Sequence, residues 1–185
     1  MRKYYFSLIA CLFIAISSFA GNPVKIKSGD ISVLKNKAIA CVEFDYSTTI
    51  VEGKNLDEYL KGRGEDVVKD WPSDNVKTEM MFIAKFNSKN DDGLQISKDK
   101  TPSYKILVHL TKLDLGNTAA AFLSMSAKGG GAIISGVVDI INLQNNKVEC
   151  SLSFDELKAI SNPSEVIRRG LAYSDLAKYI CKLNK

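Results

Sequence analysis

The most regular pattern of apolar and polar positions lies near the middle of the chain, in residues 103–115. One set of alternate positions is apolar: Tyr104, Ile106, Val108 and Leu110. The intervening set is mixed: Lys105, Leu107, His109, Thr111 and Leu113. A period of two is typical of a β-strand. Because one face is apolar and the other is mixed, we predict an interior strand that packs on a core with one face and stays partly solvated on the other.

Alternating or continuous apolar runs predict further strands on both sides of this segment. They cover residues 23–27, 31–34, 38–46, 94–96, 118–127, 133–143 and 148–154. Asn145 and Asn146 separate the last two runs, and asparagine tolerates the left-handed backbone of a tight hairpin turn. The run 118–127 fits strand or helix by periodicity alone, and we favour a strand because three glycines and another strand follow it directly.

Two longer segments have the period of amphipathic helices. Ser73 is predicted to cap the first, which extends to about Asn87. Asn162 is predicted to cap the second, with Pro163 at its first helical position. The stripe predicted to face the core in the first helix is Val76, Met80, Ile83 and Asn87, widened by Phe82, Ala84 and Phe86. In the second helix it is Val166, Ile167, Gly170, Leu171, Ser174, Ala177, Ile180 and Cys181.

Together these elements predict an α+β fold, a mixed β-sheet of about five strands with two main helices packed on one face. Each main helix has a single apolar stripe, as expected of a helix that covers a sheet from one side. A short third helix at 56–61 is indicated by Asn55 and Glu58, which are spaced as a capping box. Residues 21–185 are enough for one hydrophobic core, so we predict a single domain there.

Residues 1–20 have the anatomy of a secretory signal peptide. Arg2 and Lys3 precede an apolar run to about Ile16, and small residues then lead to Ala20. We predict cleavage after Ala20 and an exported protein that is periplasmic or secreted. The residues ending at Cys11 also match the shape of a bacterial lipoprotein cleavage site. Lipidation of Cys11, with peripheral attachment to the outer membrane, is therefore the alternative.

The charge of the chain is nearly balanced. The formal net charge is +4, and it falls to about +2 without residues 1–20, so we expect no nucleic-acid partner. Three cysteines remain after the signal peptide, and each lies in an apolar pattern: Cys41, Cys150 and Cys181. We predict that they are small buried hydrophobic residues. A single disulfide between two of them is the alternative, because export would permit it.

Candidates for chemistry are few. His109 is the only histidine, and its strand neighbours supply neither an acid partner nor a nucleophile, so we predict a structural role. The glycines at 129–131 lack the Lys-Ser/Thr pair or the helix that follows a phosphate-binding loop. Asp139 interrupts an apolar strand and is expected to pair with Lys105 or His109, or to face water. We expect no catalytic, metal or cofactor site.

Four local motifs resemble small uncharacterised secreted proteins of the Bacteroidales. They are Gly29-Asp30-x-Ser32-x-Leu34-Lys35, Val42-Glu43-Phe44-Asp45-Tyr46-Ser47, Lys69-Asp70-Trp71-Pro72 and Phe82-Ile83-Ala84-Lys85-Phe86-Asn87. In architecture only, the chain is also similar to the α/β envelope domain of the group that includes the TolB N-terminal region and the curli-assembly lipoprotein. The resemblance implies a mixed sheet with helices mainly on one face, and it brings no catalytic residues.

These observations favour a non-enzymatic, exported cell-envelope or secreted protein that serves as an interaction or assembly component and binds another envelope protein. Its predicted interaction face is formed by Lys105, His109 and Thr111. The alternative is a small-ligand binder or hydrolase, with a pocket near His109, Asp139 and the loop of Gly129, Gly130 and Gly131.

Overall fold

The computed structural model describes residues 22–118 and 130–184, which contain strands of one sheet and three α-helices. The strands are β1 (Val24–Gly29), β2 (Ile39–Asp45), β3 (Ile50–Val51), β4 (Lys54–Asn55), β5 (Gln95–Ile96), β6 (Tyr104–Asp114), β7 (Ile133–Asn142) and β8 (Lys147–Lys158). The helices are α1 (Leu56–Arg63), α2 (Glu65–Lys89) and α3 (Glu165–Lys182). The predicted signal peptide, Cys11 and nearly all of the predicted strand 118–127 lie outside the described residues.

The sheet has eight strands and is mixed, in the order β1, β8, β7, β6, β2, β5, with β3 joining at β6 and β4 pairing with β3. Strand β6 is an interior strand, as predicted: it runs parallel to β2 and antiparallel to β7. The α+β class is confirmed, but the expected count of about five strands is wrong. Strands β3 and β4 have two residues each, which is too short to show a period in the sequence.

The predicted strand at 31–34 is instead part of a 3-10 helix, Ile31–Lys35. Asp30 explains the difference, since its carboxylate accepts hydrogen bonds from the backbone N–H and the hydroxyl of Ser32, at 2.8 Å and 2.6 Å. This local bonding closes a turn and competes with an extended backbone. The hairpin between β7 and β8 is confirmed, and Asn146 has the positive φ, 55°, that such a turn needs.

Helix α2 begins at Glu65 and continues through Pro72, so its predicted start at Ser73 is wrong. A proline removes one backbone hydrogen bond, and packing of the neighbouring Trp71 against Arg169 stabilises this part of the helix. The predicted stripe is partly wrong, because Val76 and Met80 are 48% and 57% exposed, whereas Phe82 and Phe86, which were predicted to widen it, are buried. The residues buried from α2 are Thr78, Phe82 and Phe86, and the large phenylalanine rings account for most of that burial.

Helix α3 begins at Glu165 with Ser164 as its N-cap, two residues later than the predicted cap. Asn162 instead accepts a hydrogen bond from the backbone N–H of Ser164, at 2.9 Å. Its predicted inner stripe is partly wrong. Ile167 is exposed, and the buried residues of α3 are Arg168, Arg169, Gly170, Ala172, Tyr173, Leu176, Ala177, Ile180 and Cys181.

Helices α2 and α3 pack against each other and against one face of the sheet. Phe44 of β2 lies between them, with ring centroids 5.5 Å from Phe82 and 4.7 Å from Tyr173. The opposite face keeps partly exposed side chains, among them Leu107, Val137 and Ile141. We call this second side the uncovered face. Within the described ranges, no helix combines the length and the apolarity needed to cross a bilayer.

The three described cysteines differ in exposure. Cys150 and Cys181 are buried as predicted, whereas Cys41 is partly exposed on the uncovered face. Cys41 and Cys150 carry free thiols, so no disulfide joins them. The thiol of Cys181 lies 3.8 Å from the carbonyl oxygen of Phe86, in contact with α2. These thiols therefore act as packing groups in this structure.

Candidate functional site

One line of polar side chains crosses four adjacent strands on the uncovered face. We call it the polar row, and it consists of Asp45 on β2, His109 on β6, Asp139 on β7 and Ser151 on β8. Backbone pairing places Asp45 opposite His109, and Asp139 opposite Ser151. Asp139 is opposite Leu107 and is therefore a diagonal neighbour of His109. The register of the sheet thus brings together four residues that are far apart in sequence.

Asp45 holds one side of the His109 ring. The His109 Nδ1 lies 2.8 Å from Asp45 Oδ2, and Asp45 Oδ1 accepts a hydrogen bond from the backbone N–H of Ser47 at 2.9 Å. The hydrogen bonds from Ser47, followed by that from His109, lower the pKa of Asp45 to about 2. Asp45 is therefore a carboxylate at neutral pH and can only accept, so Nδ1 of His109 is the donor.

Asp139 faces the other side of the ring. Its Oδ2 lies 3.8 Å from His109 Nε2, and its Oδ1 accepts a hydrogen bond from the Ser151 hydroxyl at 2.6 Å. Of the partners expected for Asp139, the structure thus places His109 beside it. The Ser151 hydroxyl donates to the carboxylate and not to the imidazole, so the row does not contain the nucleophile-base pair that a serine hydrolase needs.

The three residues of the predicted interaction face all belong to β6. Lys105 lies on the uncovered face with His109, and its ammonium group is 3.2 Å from Glu43 Oε2. Thr111 is exposed and is the extra residue between Leu110 and Lys112, where the register of β6 against β7 shifts. Its hydroxyl donates to the carbonyl oxygen of Ser135 at 3.2 Å.

The same register shift reverses the predicted orientation of Leu113. The sequence pattern places Leu113 on the face of Lys105, but its side chain is completely buried. An irregularity of one residue exchanges the two faces of a strand beyond it. Strand β6 therefore contributes Lys105, Leu107 and His109 to the uncovered face and turns Leu113 towards the core.

Gly136 allows the backbones of β6 and β7 to approach each other beside His109. It lies opposite Leu110, and a Cβ atom at this position would overlap the carbonyl oxygen of His109 and come within 2.9 Å of the Phe154 ring. Strands β6 and β7 can approach each other here only because residue 136 has no side chain. The backbone of His109 is therefore positioned by a glycine on the neighbouring strand.

The glycine loop belongs to a different part of the molecule. Gly130 and Gly131 line a cavity of about 540 Å³ at the end of β6, together with Leu115 and Arg168, and neither His109 nor Asp139 lines it. Five residues separate His109 from the end of β6, roughly 17 Å along a strand. Gly129 lies outside the described residues. The pocket of the alternative hypothesis is therefore not a single cavity in the described structure.

Arg168 is one of two arginines that line that cavity, and its shortest hydrogen bonds go to the main chain. Its guanidinium donates to the carbonyl oxygens of Leu115, Asn162 and Pro163 at 2.7, 2.6 and 3.0 Å. Burial lowers the pKa of Arg168. These bonds tie the start of α3 to the end of β6. Sequence reasoning assigned no role to Arg168, since nothing in the helix pattern distinguishes a buried arginine from a solvated one.

The polar row does not by itself provide three or more ligands for one metal ion. Across residues 22–118 and 130–184, no group of at least three His, Cys, Asp or Glu side chains is arranged to hold a metal. Sequence reasoning also missed Asp45 as the partner of His109. The two residues belong to parallel strands separated by two helices, and their register cannot be derived from alternation alone.

No protein-family model matches the chain, and no curated protein matches it. Solved structures with a similar backbone include the PelC dodecamer from Paraburkholderia phytofirmans, with 11% identity and a TM-score of 0.44, covering 83% of this chain and 96% of that chain. A variant of that PelC dodecamer has 11% identity and a TM-score of 0.40, covering 84% of this chain and 95% of that chain. Because both scores are below 0.5, neither likeness carries a conclusion about this chain.

Proposed function

We propose that this chain is a non-enzymatic, exported interaction component that docks another envelope protein on its uncovered face. The observation that carries the proposal is the polar row, in which Asp45, His109 and Asp139 are held in defined positions although they are partly exposed. Export is proposed from the pattern of residues 1–20. The row offers no assembled nucleophile and base, which supports binding over hydrolysis.

The composition of the uncovered face suits a protein partner. Half-buried Leu107, Val137 and Ile141 lie among the charged groups, and a mixture of apolar contacts and hydrogen-bonding groups is typical of non-obligate interfaces. Within the polar row and the ion pair beside it, the carboxylates of Glu43, Asp45 and Asp139 outnumber the ammonium group of Lys105. We therefore expect a partner surface that carries arginine or lysine side chains, which would complement this charge.

Site-specific photocross-linking tests the docking face directly. A benzoylphenylalanine at position 105 should capture one envelope protein through a segment rich in arginine or lysine. The same group at position 76, on the exposed side of α2, should not capture it. Once the partner is purified, Leu107→Lys should weaken its binding at least tenfold, because it places a cation at the centre of the face.

Val76→Lys is the matched control, because it introduces the same side chain at an exposed apolar position away from the uncovered face. It should leave the affinity unchanged. Equal capture from positions 105 and 76, or equal binding by the two lysine variants, would overturn the proposal.

A further inference from the structure

Electron-pair donors border the gap between the side chains of His109 and Asp139 on both sides. Because His109 Nδ1 donates to Asp45, an imidazole with one ring proton presents the lone pair of Nε2 on its other side. That lone pair faces the Asp139 carboxylate, with 3.8 Å between Nε2 and Oδ2. Two acceptors in this relation attract a positive charge to the space between them.

The dimensions of the gap match a metal ion. Nitrogen and oxygen ligands bind zinc at roughly 2.0–2.2 Å, so two ligands of one tetrahedral ion are about 3.4 Å apart. The observed separation exceeds that by a few tenths of an ångström, within the range of a small side-chain rotation. The remote nitrogen of His109 is bonded to a carboxylate, which is the arrangement that orients metal-ligating histidines in known metal sites.

We propose that His109 Nε2 and Asp139 Oδ2 form a two-ligand site for a divalent transition-metal ion of the zinc type, with Asp45 as the residue that positions His109. Two protein ligands leave two positions of a tetrahedral ion open, and water fills them in the isolated chain. The inference rests on the proposed function in one respect, that a docked partner supplies further ligands. Metal binding by the isolated chain does not depend on a partner.

The single histidine provides a direct measurement. Titration of the full chain, purified without a histidine tag, with zinc chloride at pH 7 should shift the imidazole proton resonances of His109 saturably. Calorimetry on the same samples should give one site per chain. His109→Ala should abolish this binding, and Asp139→Asn should weaken it more than tenfold. Asp45→Asn should weaken it by about tenfold, the size expected for a residue that only orients a ligand.

Cys41→Ser is the matched control. Cys41 is a partly exposed thiol on the same face, and its sulfur would be the zinc ligand if the binding were adventitious. This substitution should leave the affinity unchanged. The side chains of Asp45, His109 and Asp139 are between 22% and 34% exposed, so thermal melts without metal should show that the variants remain folded. No saturable shift in the unmodified chain, or equal binding by His109→Ala, would overturn the inference.

Repetition of the cross-linking experiment with and without EDTA separates this inference from the proposed function. Capture from position 105 that persists in EDTA, together with absent zinc binding, would remove the metal site and leave the docking face. Zinc binding that depends on His109 and Asp139, with no capture in either condition, would remove the docking face and leave the metal site.

Discussion

The two faces of the sheet differ in how far their polar side chains have hydrogen-bond partners. On the helix-covered side, Arg169 is 2% exposed and stacks on Trp71 at 3.8 Å, and its Nε and Nη1 have no hydrogen-bond partner among the described residues. On the uncovered face, each side chain of the polar row contacts another, although Asp45, His109 and Asp139 are partly open to water. Side-chain contacts that exposed polar groups do not need in order to be solvated indicate a binding role for the uncovered face. The contact surface between α2 and α3, which we call the seam, is instead stabilised by packing.

Burial in the seam shifts the pKa values of Tyr173 and Glu79 towards their uncharged forms. The hydroxyls of Tyr46 and Tyr173 are 3.2 Å apart, and burial raises the pKa of Tyr173 to about 12. Burial likewise raises the pKa of Glu79 on α2. Arg169 is the exception, because a guanidinium does not lose its proton and is stabilised here mainly by its ring contact. The helix-covered side should therefore set the stability of the fold, and the uncovered face should contribute little.

The largest difference between the faces should appear when a buried ring is removed. Phe82→Ala should lower the free energy of unfolding by about 3–5 kcal/mol, because the ring is completely buried and leaves a cavity. Leu107→Ala, on the uncovered face, should cost at most about 1 kcal/mol, because its side chain is already partly solvated. Urea denaturation of both variants checks this, and equal losses would contradict the assignment of the core to the helix side.

The two neighbouring arginines provide a sharper test. Arg168→Met should cost about 2–3 kcal/mol, because buried carbonyl oxygens lose a charged donor. Arg169→Met should change stability by no more than about 1 kcal/mol, because it removes unpartnered donors and keeps most of the volume. Thermal or urea unfolding measures both. A loss with Arg169→Met as large as that with Arg168→Met would mean that the Arg169 donors have partners in solution.

The smallest effect concerns the acid dependence of the polar row. The folded pKa of Asp45, about 2, lies below the unfolded value of about 3.9, so its stabilising contribution is present above that unfolded value and is lost as the pH falls towards 2. The stability difference between the unmodified chain and Asp45→Asn should therefore shrink between about pH 5 and pH 2. It should stay below about 1 kcal/mol, since the group is partly exposed. A difference that is constant across this range would contradict the role given to Asp45.

The parts of the fold that were predictable are those with a strong local period. Strand β6 alternates from Tyr104 to Leu110, and the hairpin between β7 and β8 carries its own turn residues, so both appear in the structure as predicted. The starts of the two main helices depended on single cap residues and were displaced, whereas the short helix begins at Leu56 with Asn55 as its cap, as predicted. Ser73 looked like a start because it follows a proline, yet its hydroxyl bonds back to the carbonyl oxygen of Asp70 inside α2.

The candidate site was harder to predict because it is defined by register. His109 and Asp139 could be named from their strands, and their proximity was one of the options considered. The partnership of Asp45 with His109 requires the parallel pairing of β2 and β6, which no local pattern contains. Leu113 was assigned to the wrong face because the irregularity after Leu110 has no signature in composition.

Gly136 gives descendants of a common ancestor a position by which they can be recognised. A side chain there would overlap the His109 carbonyl oxygen, so a relative that retains this junction of β6 and β7 retains the glycine, whatever residue it carries at 109. Relatives with the glycine but without Asp45, His109 and Asp139 would have inherited the scaffold alone. Relatives with Gly136, Asp45, His109 and Asp139 would have inherited the polar row as well. An alignment of relatives can therefore show whether the scaffold and the polar row arose at different times.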